Sequence, residues 1–324
     1  MTIRRWEPIE KALEIRPDDA RLGNGVTVSP FGHLGVRGCR VPALDDLPQA
    51  LSFGSLIKIG RTHVQDATPL TLGQEFGGYE AQRAVCEESI QHASAAVHAL
   101  AIGGTALGTG LNPHPESGAR VAAKLARRLE LPLVYADNLH AAMTRHEALS
   151  GLHANLKMLA IALIKIGSVN RLMGSGSRAG LGEQQLPQSE PGSSIVPGEV
   201  NPTQIEALTR VCAQIMDYEA AIGFAASEGL FGLNVYKPLF ALDTLDSIRL
   251  LTDVMRSFTR HCVVGIEVHS DRIKQLVRGS PMLATALAPH VGHDRSAQIA
   301  KHAAARPHAA RSRAGAWICE RRAV

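Results

Sequence analysis

The fold of this 324-residue chain is decided by one central stretch, Leu149-Ser150-Gly151-Leu152-His153-Ala154-Asn155-Leu156-Lys157-Met158-Leu159-Ala160-Ile161-Ala162-Leu163-Ile164-Lys165-Ile166. Six of its apolar residues are spaced alternately three and four positions apart: Leu149, Leu152, Leu156, Leu159, Leu163 and Ile166. Residues at this spacing lie along one narrow stripe of an α-helix. Such a stripe is typical of a helix that packs against neighbouring helices. The stretch therefore predicts a long core helix.

The segments around this stretch also have a helical pattern. The core helix is predicted over residues 139–173, and the same apolar spacing recurs in residues 251–262. Further long helices are predicted over 70–102, 202–223 and 239–265. Long helices with few alternating β-branched runs predict an all-α fold, a bundle of long helices with irregular ends.

Between the helices lies a long loop, residues 174–201. Gly, Ser and Pro occupy 14 of the 25 positions from 174 to 198, a composition typical of loops. At its end, Asn201 is predicted to cap a helix, Pro202 to occupy the first helical position and Gln204 to complete the capping pair. Free N–H groups and the helix dipole favour an anion at such a helix N-terminus. A loop this long is a candidate functional segment.

Composition excludes several classes of protein. Hydrophobic residues make up 45% of the chain and charged residues 20%, which argues against wholesale disorder. Aromatic residues make up only 4%, which disfavours a nucleic-acid platform built on stacking side chains. Five scattered cysteines, at positions 39, 86, 212, 262 and 319, predict neither a disulfide framework nor a zinc site. The chain is therefore expected to be a globular protein of a reducing compartment.

Charge and hydropathy point to no nucleic-acid or membrane partner. The net charge of +4 is concentrated in residues 301–324, which carry +5. We interpret this basic tail as a solvated end, and a nucleic-acid arm is the weaker alternative. The most apolar interior run, Met158 to Ile164, is much shorter than the ~20 residues that a membrane span needs. No secretory or membrane-spanning segment is predicted.

Three segments carry residue types suited to chemistry: Ile59–Pro69, Gly103–Asn112 and Gly192–Pro202. Each of them also fits an ordinary structural role. His63 fits a histidine at the start of a helix, and the glycine-rich segment fits a turn between helices, because it lacks the strand that a dinucleotide site needs. The Ser193-Ser194 pair fits linker composition.

Taken in order, these segments resemble the fumarase/aspartase superfamily and, within it, the class II fumarate hydratases. Gly192-Ser193-Ser194-Ile195-Val196-Pro197-Gly198-Glu199-Val200-Asn201-Pro202 resembles the signature loop, usually Gly-Ser-Ser-x-Met-Pro-x-Lys-x-Asn-Pro. Arg61-Thr62-His63 resembles the fumarase form, since aspartases carry Gln at the position of His63. The continuation Pro202–Leu208 is also similar to fumarases. The similarity runs from about residue 56 to about residue 304.

The resemblance implies a fold, a reaction and a set of site residues. Family members are mostly helical subunits that form homotetramers and catalyse the reversible hydration of fumarate to L-malate in the tricarboxylic acid cycle. The resemblance implies that Ser193 is the base that removes the C3 proton of malate. His63, assisted by Glu206, would handle the proton of the water. The positions expected to contact substrate are Thr62, Ser194, Glu199 and Asn201.

The resemblance also implies the setting of the reaction. It implies a cytoplasmic homotetramer that needs no cofactor and no metal. The expected partner is a small dicarboxylate, fumarate or L-malate, and neither nucleic acid nor a membrane is expected.

The chain departs from the family pattern at one site position and at both ends. Glu199 stands where the signature has Lys, so a carboxylate is expected to oppose the substrate dianion. The Ser-Ser-Asn substrate motif does not appear, and Gly23–Pro30 stands in its place. The chain is expected to be a member of the family truncated at both ends. Its predicted domains are a remnant N-terminal domain (1–55), a central bundle with the catalytic loop 174–201 (56–270), and a partial C-terminal domain with the basic tail (271–324).

Two alternatives to a fumarate hydratase stay open. The first is an aspartase-like ammonia-lyase of the same superfamily, against which His63 and the stretch Pro202–Glu206 argue. The second is a catalytically impaired family member that serves as a helical assembly subunit. Glu199 and the absent N-terminal motif favour this second alternative.

Overall fold

The computed structural model describes residues 54–176 and 178–305, together with the backbone of two short antiparallel strands, β1 (Val26–Val28) and β2 (Leu34–Val36). The predictions for the remaining terminal residues lie outside the described part of the chain. From residue 54 onward the order is β3 (Ile57–Thr62), β4 (Gln65–Thr71), α1 (Leu72–Ala96), β5 (Ala99–Leu100), α2 (Ser117–Leu129), β6 (Val134–Tyr135), α3 (Leu139–Thr144), α4 (Glu147–Met173), β7 (Gln184–Gln185), α5 (Thr203–Ser227), α6 (Lys237–His261), a 3₁₀ turn (Val263–Gly265), β8 (Glu267–Val268), α7 (Ser270–Gly279), a 3₁₀ segment (Pro281–Leu287), α8 (Ala288–Val291) and α9 (His293–Ala305).

Long helices dominate the described residues, which confirms the all-α prediction. Helices α1, α4, α5 and α6 have 25, 27, 25 and 25 residues, whereas the strands pair only two at a time. The predicted helix over 139–173 is in fact two helices. The backbone of Arg145 is extended, with φ −103° and ψ 149°, and this breaks the helical path between α3 and α4.

The described chain divides into two compact units. We call them the helical unit, made of Gln82–Ser168 and Thr203–Thr259, and the hairpin unit, made of residues 54–81, Val169–Pro202 and residues 260–305. Each unit is assembled from segments that lie far apart in sequence.

The core of the helical unit is built on the predicted apolar stripe of α4. All six stripe residues are buried: Leu149, Leu152, Leu156, Leu159, Leu163 and Ile166. Each fully buried leucine contributes about 1.5–3 kcal/mol. A Cβ on Gly167 would lie 3.2 Å from side-chain atoms of Ile205 and Leu208, so α4 and α5 pack closely. In length and hydropathy α4 resembles a membrane span, and its buried stripe marks it as a core helix of the bundle.

The hairpin unit begins with strands β3 and β4, which pair antiparallel and then lead into α1. The register shifts between Ile59 and Arg61, and glycine is needed at position 60 because a Cβ there would lie 2.5 Å from the carbonyl oxygen of Thr68. Thr71 and Gln74 cap the start of α1 reciprocally. The N–H of Gln74 donates to Thr71 Oγ1 at 3.0 Å, and the N–H of Thr71 donates to Gln74 Oε1 at 2.8 Å.

Candidate functional site

His63 lies at the tip of the β3–β4 hairpin, so its interpretation as a histidine at the start of a helix is wrong. Thr62 pairs with Gln65, and the turn between them is formed by His63 and Val64 with φ of 49° and 65°. Two positive φ values are typical of a type I′ turn, which favours Asn-Gly. Histidine and the β-branched valine rarely adopt positive φ, so the residues at positions 63 and 64 do not predict such a turn. The turn exposes the side chains of Thr62 and His63.

The hairpin unit also contains a group of four charged side chains, of which Lys58 and Glu183 are buried and Arg61 and Glu75 are partly exposed. Arg61 Nη1 donates to Glu183 Oε1 at 2.8 Å, and Lys58 Nζ lies 3.0 Å from Glu183 Oε2. Lys58 also donates to Glu75, which accepts a second hydrogen bond from the hydroxyl of Tyr79 at 3.0 Å. Burial, reinforced by Glu75, raises the pKa of Tyr79, so this phenol stays neutral. The residue patterns did not indicate this cluster, because Glu183 lies more than a hundred positions after the other three residues.

Ser193 lies in a tight loop that supplies donors to its hydroxyl oxygen. The backbone N–H groups of Ile195 and Val196 donate to Ser193 Oγ at 3.3 and 3.1 Å. The N–H of Ser193 donates to the carbonyl of Glu199 at 2.8 Å and closes the loop. Gly192 is required next to it, because its φ is 94° and a Cβ there would lie 2.6 Å from the same carbonyl. Two N–H donors aimed at one oxygen favour its ionised form.

The other predicted residues of this loop, Ser194, Glu199 and Asn201, are exposed. Helix α5 begins at Thr203, one residue later than predicted, so Pro202 rather than Asn201 stands directly before the helix. The predicted capping role of Gln204 is wrong. Its Oε1 accepts a hydrogen bond from Ser257 on α6 at 2.8 Å, because Gln204 contacts the bundle rather than its own helix end.

Glu206 lies in the first turn of α5 and belongs to the helical unit. Its carboxylate accepts a hydrogen bond from Arg210 at 3.1 Å, one turn along the helix. The structure thus places Thr62 and His63 together on one turn, and Ser193, Ser194, Glu199 and Asn201 together on one loop. The convergence of Ser193, His63 and Glu206 stays a prediction.

The glycine-rich segment Gly103–Asn112 follows β5 and precedes α2 as a series of turns. Five of its residues have positive φ: Gly103, Thr105, Gly108, Gly110 and Asn112. This agrees with its interpretation as a connecting segment. A cavity of about 490 Å³ lies elsewhere in the helical unit, at the α3–α4 junction, lined among others by Asn138, Arg145 and His146. None of the predicted site residues lines this cavity.

The cysteines of the described residues are free thiols in the core. Cys86, Cys212 and Cys262 are buried, and burial raises the pKa of Cys212 and of Cys262 to about 12. A thiol with such a pKa is not ionised at neutral pH and is a poor nucleophile or metal ligand. Within 54–176 and 178–305, no group of three His, Cys, Asp or Glu side chains is placed to hold a metal ion.

Comparison with known proteins finds the same family throughout. A family model described as lyase matches residues 44–217. The chain is 52% identical over 268 residues to the class II fumarate hydratase of Chromobacterium violaceum. The matched region covers 81% of this chain and 58% of that protein. It is 48% identical to the mitochondrial fumarate hydratase of Rhizopus oryzae, with 83% of this chain and 55% of that protein covered.

A solved structure has a similar fold. The crystal structure of a class II fumarase from Schistosoma mansoni has a TM-score of 0.77 and 39% sequence identity, and covers 79% of this chain and 57% of that chain. The chain therefore spans less than two thirds of the length of these three relatives.

Proposed function

This chain belongs to the lyase family, and from that premise we propose that it catalyses the reversible hydration of fumarate to L-malate, as a hydro-lyase of the class II fumarate hydratase type. The substrate is then a small dicarboxylate. The reaction removes or adds a proton at the carbon next to a carboxylate, and it needs a base, a group that handles the water proton, and donors for the negative charge that develops.

The observation that carries the proposal is the pair of N–H groups on Ser193 Oγ. A serine hydroxyl is a weak base unless its alkoxide is stabilised. The N–H groups of Ile195 and Val196 donate to this oxygen and would stabilise its alkoxide. We propose that Ser193 removes the C3 proton of malate and returns it in the reverse direction.

The remaining roles follow from the same proposal. His63 handles the proton of the water, and Glu206 supports it by accepting its second ring N–H, which would require Glu206 to exchange its bond with Arg210. Thr62, Ser194 and Asn201 contact the substrate carboxylates. Glu199, whose side chain is exposed, opposes them.

The proposed active assembly is a homotetramer. Thr62, His63, Ser194 and Asn201 are exposed in the single chain, so a site made of them needs further protein surface to exclude water. Large apolar side chains are exposed in the helical unit between residues 224 and 242, and exposed apolar surface of this kind marks interfaces. We propose the cytoplasm as its compartment, while the Rhizopus oryzae relative is named as mitochondrial.

The deciding experiment follows fumarate absorbance with the purified chain. Wild-type protein is expected to consume malate or fumarate, and Ser193→Ala is expected to lower kcat by about 10²–10⁴-fold. Gln188→Ala, an exposed change on the same loop, serves as the control and is expected to leave kcat unchanged. Equal activity of wild type and Ser193→Ala would overturn the role of Ser193.

Two other outcomes identify the alternatives. Turnover of fumarate with ammonia in place of water would indicate an aspartase-like ammonia-lyase. No turnover by a correctly folded oligomer would indicate a catalytically impaired assembly subunit, the alternative that the exposed carboxylate of Glu199 favours.

A further inference from the structure

We propose that Glu183 is a positioning residue that holds the Thr62–His63 turn through Arg61. It thereby connects this turn to the loop stem, residues 180–183, which belong to the loop that carries Ser193. The inference rests on the proposed function, because the position of His63 matters to catalysis only if His63 takes part in the reaction. No motif singled out Glu183, and its role is argued from contacts within the hairpin unit alone.

Both oxygens of the Glu183 carboxylate face a cation. The side chain is 1% exposed, with Arg61 Nη1 at 2.8 Å from Oε1 and Lys58 Nζ at 3.0 Å from Oε2. Lys58 is 2% exposed. A buried carboxylate is costly unless it is paired, and pairing on both oxygens restricts its orientation. The carboxylate of Glu183 is therefore held in one orientation between Lys58 and Arg61.

On the hairpin side, Arg61 connects Glu183 to the turn. Arg61 directly precedes Thr62, and its Nε lies 4.0 Å from Asp66 on the opposite strand. One guanidinium thus joins Glu183 to both strands of the hairpin. The left-handed backbone of His63 and Val64 is strained, and such strain persists only where the surrounding structure holds it. The Arg61–Glu183 bond is placed to hold it.

On the loop side, the backbone of Glu183 is fixed at both of its polar groups. Its N–H donates to the carbonyl of Met173 at 2.9 Å, and its carbonyl accepts from the N–H of His269 at 3.0 Å. Arg272 donates to the carbonyls of Gly180 and Leu181 at 3.2 and 3.0 Å. The loop stem is therefore fastened to the end of α4 and the start of α7. Ser193 follows ten positions after Glu183 in the same loop.

The charges of the cluster explain why a carboxylate is needed at this position. Lys58 and Arg61 carry two positive charges, and Glu75 and Glu183 carry two negative charges, while Tyr79 stays neutral. Replacing Glu183 by Gln keeps the shape but leaves one positive charge uncompensated in a buried place. We expect the hairpin to relieve this by moving Arg61, and the turn with it, toward solvent.

The test is hydrogen–deuterium exchange on the full chain, comparing wild type with Glu183→Gln. Amides in residues 57–71 are expected to exchange about tenfold faster in the variant, with no change in α5 and α6. Glu219→Gln is the matched control. It removes the carboxylate of the partly buried Lys157–Glu219 ion pair in the helical unit and is expected to leave the hairpin unchanged. Unchanged exchange in residues 57–71 of Glu183→Gln would overturn the proposal.

A milder variant covers the case in which Glu183→Gln does not fold. Arg61→Lys keeps the charge but cannot donate from a planar fork to Glu183 and reach Asp66 together. It is expected to accelerate exchange in residues 57–71 alone. Uniform acceleration over the whole chain, or none, would refute the positioning role.

The catalytic readout separates this inference from the proposed function. If the wild-type chain hydrates fumarate, Glu183→Gln is expected to lower kcat about tenfold with a smaller change in KM, and Glu183→Asp to recover part of the loss. Equal losses of kcat in Glu183→Gln and Glu219→Gln would overturn the inference, and so would faster hairpin exchange with unchanged kcat. If wild type does not turn over, the proposed function fails, and the exchange data still decide whether Glu183 holds the turn.

Discussion

Among single residues, Glu199 is expected to have the largest effect on the affinity of the Ser193 loop for a dicarboxylate. Its backbone N–H and carbonyl close the loop, while its side chain is exposed and negative. Replacing it with Lys removes a repulsion and adds a charge-assisted hydrogen bond. Together these changes are expected to be worth ~3 kcal/mol, or about a hundredfold in the dissociation constant of a fumarate-like dicarboxylate.

Calorimetry at low salt measures this prediction. Glu190→Lys makes the same change of charge at another exposed position of the loop, and it is expected to improve affinity far less. If Glu199→Lys binds no better than wild type, the carboxylate of Glu199 does not face the substrate.

The sequence predicts residue identities better than residue environments. Ser193 and His63 were found because their motifs resemble a known family, which needs only the order of residue types. The donors on Ser193 Oγ and the left-handed turn at His63 depend on backbone dihedral angles that no side chain in these segments announces. The capping pair is predicted at Asn201–Gln204, whereas the pair that forms is the Thr-x-x-Gln pattern at Thr71–Gln74.

At the scale of secondary structure elements, the packing of α4 against α6 contains a buried histidine that makes stability depend on pH. His153 Nε2 and Ser247 Oγ are 2.7 Å apart, and the His153 side chain is fully buried. Burial lowers the pKa of His153 from 6.5 to about 4; the attraction of Glu219 only partly opposes this shift, and Lys157 adds slightly to it. The folded state therefore keeps this ring neutral where the unfolded chain takes up a proton.

The sign of the pH dependence follows from that shift. The contribution of neutral His153 to the free energy of unfolding is fully present above pH ~6.5 and is lost as the pH falls toward 4. The loss amounts to about 2 kcal/mol by pH 5 and to about 3 kcal/mol in total. Urea unfolding at pH 7.5 and pH 5 measures it in wild type and in His153→Gln. The amide can still bond to Ser247 but does not titrate. The variant should lose about 2 kcal/mol less between the two pH values, and parallel losses in both proteins would contradict the prediction.

Apolar periodicity predicted the long helices well and their ends less well. The Leu149–Ile166 stripe is a strong signal because one buried face must repeat with the helical period. Neither the break at Arg145 nor the end of α1 at Ala96, which comes earlier than predicted, interrupts the apolar pattern. The pattern therefore could not predict them. The β3–β4 hairpin was missed because its strands are short and only part of them is buried.

At the scale of the whole molecule, the exposed apolar residues of the helical unit favour self-association. Phe231 is 95% exposed, and other large apolar side chains exposed between residues 224 and 242 are Phe224, Leu230, Leu233, Val235 and Leu242. An aromatic residue at the centre of an interface typically contributes ~2 kcal/mol or more. Phe231→Glu is therefore expected to raise the dissociation constant of the oligomer about thirtyfold.

Light scattering over a range of protein concentrations measures this effect. Gln298→Glu, on the exposed surface of α9, adds the same charge and should leave the oligomer intact. A wild-type chain that is monomeric at every concentration would remove the basis for the proposed homotetramer.

The division into two units is the part of the architecture that the sequence did not predict. Each unit joins segments from distant parts of the chain, as in the ion pair of Arg61 and Glu183, which lie 122 positions apart. Composition changes along the chain indicate boundaries between neighbouring segments, but they do not indicate which distant segments pack into one unit. Buried ion pairs between distant segments leave no such mark, because Lys, Arg and Glu are also the commonest residues of a solvated surface.

The His63–Val64 turn has a consequence for protein engineering. Glycine adopts positive φ without strain, so Val64 is a position where heat resistance can be raised by one substitution. The same substitution would enlarge the range of conformations open to the neighbouring imidazole. If His63 takes part in the proposed reaction, thermal tolerance and catalytic precision compete within two adjacent residues, and selection for a more durable variant is expected to act here at the expense of turnover.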